Sequence, residues 1–131
     1  MERTAVNPTT WSAEMGFHQG VLVQGQTRTL YLSGQTATGR DGEPRHEGDL
    51  AAQLALSVDN LVAVLGEADM SLADLVRLNV YTTDVDLLLR HYGVLAARLA
   101  AASVAPTTTL LGVTRLALPG QLVELEGTAV A

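Results

Sequence analysis

Cysteine is absent from the 131-residue chain. That excludes disulfides, thiolate metal sites and a cysteine nucleophile, and it leaves the redox compartment unmarked. Aromatic residues are scarce at 4% (Trp11, Phe17, Tyr31, Tyr81 and Tyr92), so Ala, Leu and Val must carry the core, which suits sheet-on-helix layers. Cations are also few: 8 Lys+Arg against 14 Asp+Glu give a net charge of −6 and a pI of about 4.8. A nucleic acid or an anionic membrane would need a basic patch, so neither is expected as a partner. The apolar stretches are broken within a few residues, and none is expected to span a bilayer. Glu2 and Arg3 open the chain with no apolar run behind them, so no signal peptide is expected and the expected location is cytoplasmic.

What remains is enough for one domain. Hydrophobic residues make up 47% and charged residues 17%, a balance that builds a core. A chain of this length has room for one domain, expected over 11–131, with residues 1–10 as a loose arm. A monomer of this size buries roughly two-thirds of its unfolded surface, and further burial would come from subunit contacts.

Met15–Val23 and Leu30–Leu32 read as strands, with Gln24-Gly25-Gln26-Thr27 between them short enough to close a hairpin. Thr38–Gly48 is rich in loop formers. Asp49 then caps a helix whose stripe is Leu50, Leu54, Val58, Leu61 and Leu65, widened by Ala51, Ala55 and Val62, with Gln53, Asp59 and Glu67 off it. Ser71–Asp74 reads as a capped turn. Val76, Leu78 and Val80 alternate with Arg77, Asn79 and Tyr81 as a strand. Thr82-Thr83-Asp84 caps a second helix (Leu88, Tyr92, Leu95, Leu99), which Pro106 ends. Thr107–Val113 and Leu122–Val130 read as the last strands. The order ββαβαββ gives an α+β fold with two helices on one face of a mixed sheet. The other face (Arg77, Asn79, Tyr81, Glu124, Glu126, Thr128) is neither plainly solvent nor plainly core, which favours an oligomer.

Few residues here carry chemistry by pattern. His18, His46 and His91 lack partners at ligand spacing, apart from His46-Glu47 in a loop, so no metal site is expected. Gly39, Gly42 and Gly48 punctuate a loop without the strand–glycine–helix context of a phosphate cradle. Glu124 and Glu126 stand two apart on one strand face, where two carboxylates can raise one pKa and serve as a general acid or base. A solvated strand face explains the same pair. Thr107-Thr108-Thr109 can line a site with hydroxyls or simply form a strand.

Several stretches together resemble the Rid family, also called the YjgF or reactive-intermediate-deaminase family. Gly16-Phe17-His18-Gln19-Gly20-Val21 is similar to its opening strand, and Leu32-Ser33-Gly34-Gln35 carries its SGQ. Residues 49–65 resemble its first helix, residues 75–84 the strand entering the second, and 123–130 (VELEGTAV) its closing VEIEAIAV. The likeness runs from about residue 11 to the end.

The resemblance implies a chorismate-mutase-like fold in a homotrimer, with sheets facing a central barrel and three clefts between subunits. It also implies hydrolysis of enamines or imines, such as 2-aminoacrylate, to a keto acid and ammonia without a cofactor. In the family, a P-A-R arginine pairs with the substrate carboxylate and a glutamate near the C-terminus positions water. Here the stretch reads Pro106-Thr107-Thr108, so Thr108 stands at the arginine position. Arg115 matches another, non-catalytic arginine. Glu124 stands at the glutamate, Tyr92 at a frequent asparagine, Leu110 at a common cysteine and Phe17 at a tyrosine. Ser33 and Gly34 keep the family's letters.

Losing the arginine fork removes a bidentate, charge-assisted contact. One partner of such a pair is worth ~2–5 kcal/mol, roughly thirty- to several-thousand-fold in affinity or rate. Imines derived from 2-amino acids are therefore expected to be poor substrates. Two functions stay open. One is hydrolysis of a neutral imine or enamine by Glu124, in a cleft walled by Thr108, Ser33, Gly34, Phe17, Tyr92 and Leu110. The other is a non-catalytic trimer that binds a small molecule or a partner protein. RNA cleavage, attached to some relatives, lacks the basic stripe it would need.

Overall fold

The apolar stripe that begins at Leu50 forms the longest element of the computed structural model, which describes residues 1–131. Helix α2 (Leu50–Glu67) starts where Asp49 accepts a hydrogen bond from the Ala52 N–H at 3.1 Å, satisfying a donor that the first helical turn leaves free. Leu54, Val58, Leu61 and Leu65 are buried along its inner side. By length and composition this helix, with a mean hydropathy of 1.3, is apolar enough to cross a membrane, which corrects the expectation that no segment is. Its apolar side chains are spent on the protein's own core.

Before α2 lie β1 (Glu2–Val6), a short helix α1 (Trp11–Glu14), β2 (Gly20–Gln24) and β3 (Thr29–Gln35). After it, a 3-10 turn at Leu72–Asp74, capped reciprocally by Ser71 and Asp74, leads into β4 (Leu75–Thr82). Helices α3 (Val85–His91) and α4 (Gly93–Ala101) then precede β5 (Thr107–Gly112) and β6 (Val123–Val130). Asp84 caps α3 by accepting from the Leu87 N–H at 3.0 Å.

The main sheet is mixed, in the order β3-β6-β4-β5. β6 runs antiparallel to both β3 and β4, while β4 and β5 are parallel. A parallel pair needs a crossover connection, and α3 and α4 supply it. Leu78, Val80, Val123 and Leu125 on the sheet share one buried cluster with Leu54, Leu61, Leu88, Leu95 and Leu99 on the helices. The α+β architecture with helices on one sheet face is thus present.

Four expectations are corrected. Residues 2–6 are a strand within the expected arm, antiparallel to β2. Arg3 explains why: its guanidinium donates to the Ala73 carbonyl at 2.6 Å, the Val130 carbonyl at 2.8 Å and Asp74 Oδ1 at 3.2 Å, fastening the N-terminus to the main sheet. The first expected strand shortens to Gly20–Gln24, because α1 and a turn at Gly16 (φ 78°) occupy its beginning. No hairpin joins it to β3. The chain does turn at Gly25 (φ 72°), but the Thr27 and Arg28 N–H groups donate to the Ala131 carbonyl and β3 pairs with β6. The second helix is two helices meeting at Tyr92, where the Tyr92 N–H reaches only the Leu89 carbonyl at 3.4 Å and glycine, a poor helix former, follows.

Gln53, expected off the buried stripe, is fully buried. Its amide donates to the carbonyls of His46 (3.0 Å) and Gly120 (2.9 Å), and its Oε1 accepts from the Leu122 N–H at 2.7 Å. A polar side chain in the core is stable when its groups are all paired, and this one ties two loops to the start of β6.

Candidate functional site

A cavity of about 610 Å3 lies between β5, the α3–α4 junction and residues 11–17. Strand register decides which β5 side chains reach it. Thr108 lies opposite Leu78 and Leu110 opposite Val80. Directly opposite residues share a sheet face, so Thr108 and Leu110 face the helices as buried Leu78 and Val80 do. From the helix side, Tyr92, Ala96 and Ala100 recur every four residues along one face, and the two alanines leave space that larger side chains would fill. Trp11 and Phe17 close another wall in an edge-to-face pair, 5.6 Å between centroids at 76°.

The lining is mostly apolar, and Glu14 is its one formally charged side chain; no Lys, Arg or His lines it. Burial pushes the Tyr92 phenol above its ordinary pKa, keeping it neutral. The Thr108 hydroxyl donates to the Pro106 carbonyl at 2.9 Å. With its proton committed, this hydroxyl offers a guest an acceptor. Arg115 is elsewhere, in the loop after β5 beside Thr83 and Pro119.

The structure thus brings together Phe17, Tyr92, Thr108 and Leu110. Ser33, Gly34 and Glu124 form a separate group. Pairing between β3 and β6 is irregular between Leu32 and Gln35, so Ser33 and Gly34 lie in a bulged stretch of the sheet edge. A Cβ on Gly34 would sit 1.8 Å from Glu124 Oε1, so only glycine lets the carboxylate lie over this backbone. Glu124 pairs with Tyr81, on the face away from the helices. Within one chain, Glu124 and Thr108 are therefore on opposite faces of the sheet, with β4 between their strands.

The open face carries its own polar network. Asn79 Nδ2 donates to Glu126 Oε1 at 2.9 Å, the Tyr81 hydroxyl donates to the same oxygen, and Arg77 Nη2 donates to Thr109 Oγ1 at 2.6 Å. The Tyr81 hydroxyl, followed by the Asn79 amide, holds the Glu126 carboxyl below its ordinary pKa. The same bond, with burial and the negative charge, raises the Tyr81 phenol. For Glu126, the expectation that the 124/126 pair could raise a pKa is corrected: the two donors on this carboxylate, helped by the Arg77 charge, outweigh the burial that opposes them.

Sequence reasoning did not find Trp11, Glu14, Met15, Leu89, Ala96 or Ala100 as cavity walls. The four-residue spacing from Tyr92 to Ala100 was a usable signal. Trp11, 57% exposed on a four-residue helix, gave none.

The endoribonuclease L-PSP family model matches residues 9–131. The chain belongs to this family, also known as Rid or YjgF. It is 30% identical to the RutC family protein YjgH of Escherichia coli K12 over 117 residues, covering 89% of this chain and 88% of that protein. Among solved structures, the Rid-family protein YyfB of Yersinia pestis superposes with a TM-score of 0.85 at 35% identity, covering 100% of both chains. RidA of Psychrobacter sp. PAMC 21119 has a TM-score of 0.70 at 29% identity, covering 88% of each.

Proposed function

We propose that the protein is a homotrimer whose inter-subunit clefts bind a small neutral metabolite and hydrolyse a neutral imine or enamine to the carbonyl compound and ammonia. Each cleft joins the Phe17, Tyr92, Thr108 and Leu110 cavity of one protomer to Ser33, Gly34 and Glu124 of its neighbour. The observation that carries this reading is the cavity wall itself: mostly apolar, with Thr108 as an acceptor and no cation. An acidic substrate would enter without a partner for its carboxylate, at a cost of several kcal/mol, so 2-aminoacrylate is a poor substrate. In hydrolysis, Glu124 takes a proton from water as the oxygen adds to the C=N carbon and returns it to the nitrogen, giving a carbinolamine. The hydroxyl proton of that carbinolamine then passes to nitrogen as the C–N bond breaks, leaving the carbonyl compound and ammonia.

An enzyme-coupled imine assay, run beside a relative that has the P-A-R arginine, tests the specificity. Activity on 2-aminoacrylate equal to the relative's refutes it. Glu124→Gln is expected to abolish turnover of any neutral imine accepted by the wild type. Sedimentation is expected to give a trimer, and a monomer overturns the composite cleft. The second reading, a non-catalytic binding trimer, draws on the separation of Glu124 from Thr108 within a chain. Under it, Glu124→Gln changes affinity in a thermal-shift metabolite screen, and no turnover is found.

A further inference from the structure

The chain has one Trp, one Phe and three Tyr, and none of them is among its buried core residues. Aromatic side chains ordinarily dominate a core, because each buries so much apolar surface. Here Trp11, Phe17 and Tyr92 line the cavity beside β5 instead. Trp11 is exposed, and so are two more of its wall residues, Met15 and Leu89. This apolar surface is left unspent by the fold of the chain itself.

The cavity is also larger than 2-aminoacrylate requires. At about 610 Å3 it falls in the ~300–1,000 Å3 of sites that take drug-sized ligands, and ~150 Å3 of apolar space already holds a benzene ring. An apolar annex of about 100 Å3 extends it. Tyr92, Ala96 and Ala100 wall both spaces, and the annex ends on Leu99 and Val104. Leu99 belongs to the buried core and Val104 packs against that core. The annex is therefore floored by the chain's own interior rather than by a neighbouring subunit.

We propose that the guest of this cavity is an arylalkyl aldimine, Ar–CH2–CH=NH, the class formed when an arylalkyl primary amine is oxidised. This rests on the cleft proposed above and names its substrate. The ring lies among Trp11, Phe17 and Tyr92, with the small side chains of Ala96 and Ala100 leaving it room. The imine N–H donates to the Thr108 hydroxyl oxygen, whose own proton is committed to the Pro106 carbonyl. Hydrogen stands where an amino-acid imine carries its carboxylate, which suits a wall whose one charged group is the Glu14 carboxylate. Hydrolysis adds one water and yields Ar–CH2–CHO and ammonia, with no oxidant or reductant needed.

Titration calorimetry of the intact wild-type protein tests it with two stable stand-ins for the imine, 3-phenylpropanamide and propanamide, which lacks the ring. The aryl amide is expected to bind and to shift the emission of Trp11, the chain's only tryptophan. Propanamide should be weaker by roughly tenfold or more, as burial of a ring implies. An Ala96→Leu, Ala100→Leu double variant, which keeps good helix formers, fills the space and should weaken the aryl amide by a similar factor. No binding of the aryl amide at about 10 mM, a millimolar threshold set by ligand size, overturns the proposal. So does propanamide binding as tightly, or binding that leaves Trp11 emission unchanged. Turnover separates this inference from the reading beneath it. For aldimines released in situ from 2-phenylethylamine and propylamine, kcat/KM should favour the aryl one by roughly tenfold or more, and equal values overturn the aryl class alone. Turnover of neither, with the aryl amide still bound, overturns the hydrolysis proposed above and supports the aryl guest.

Discussion

Replacing Gln53 with leucine keeps the volume and removes every hydrogen bond this side chain makes. Three backbone groups lose a partner, but not equally. The His46 carbonyl keeps the Asp49 N–H at 3.0 Å. The Gly120 carbonyl and the Leu122 N–H have no other partner in the chain. Each orphaned buried group costs about 1–3 kcal/mol. Both are only partly shielded from water, so the lower part of that range applies and the sum is about 2–4 kcal/mol. Against the ~5–15 kcal/mol of a typical domain this is a large fraction. At about 4 °C per kcal/mol, the melting temperature should fall by about 8–16 °C. Urea unfolding should show a lower midpoint at unchanged slope, because the surface exposed on unfolding is nearly the same. A loss under ~0.5 kcal/mol, the usual scale of a surface change, would show that Gln53 does not hold these loops.

Gly34→Ala forces aside the Glu124 carboxylate, the end of a flexible side chain, so stability should change by less than ~1 kcal/mol. Ligand binding or turnover should fall as far as in Glu124→Gln; melting as depressed as in Gln53→Leu, or unchanged function, contradicts this. Two pH limbs follow from the open face. Glu126, depressed by the Tyr81 hydroxyl and then Asn79, contributes stability above the unfolded carboxyl pKa, and that contribution is lost as pH falls through the folded one. Tyr81, raised first by its bond to Glu126, contributes stability below the unfolded phenol pKa, lost as pH rises through the folded one. Melting temperatures across pH should show both limbs in the wild type and smaller ones in a Tyr81→Phe, Glu126→Gln double variant, where Asp41 and Tyr92 still contribute; limbs of equal size in that variant count against the network. Thr108→Arg places a guanidinium in the cavity and should raise 2-aminoacrylate turnover by roughly tenfold or more in coupled assays. No gain would show that the remaining walls, not the missing cation, exclude the acid.

The sequence alone shows most of what is local. The leucine stripe of α2, the caps at Asp49, Ser71 and Asp84, and the alternation along β4 and β6 all depend on neighbours within a few residues. The family likeness was legible for a related reason, since its motifs are short and keep their order along the chain. The split at Tyr92 was harder, because Leu88, Leu95 and Leu99 are buried on both sides of it and the stripe runs on without a break. Gln53 was misread because its partners are the carbonyls and N–H of loops 7 to 69 residues away, and the letter itself shows only polarity.

By itself, then, the sequence determined α2, the alternating faces of β4 and β6, the α+β class and the family, because periodicity and capping act over one or two turns. Tertiary structure alone decided that Arg3 turns an expected arm into a strand, that β3 pairs with β6, and that Thr108 and Glu124 stand on opposite faces. Those outcomes depend on which distant strand lies alongside and in what register. A strand's side chains alternate with a period of two, so a shift of one residue would exchange the two faces.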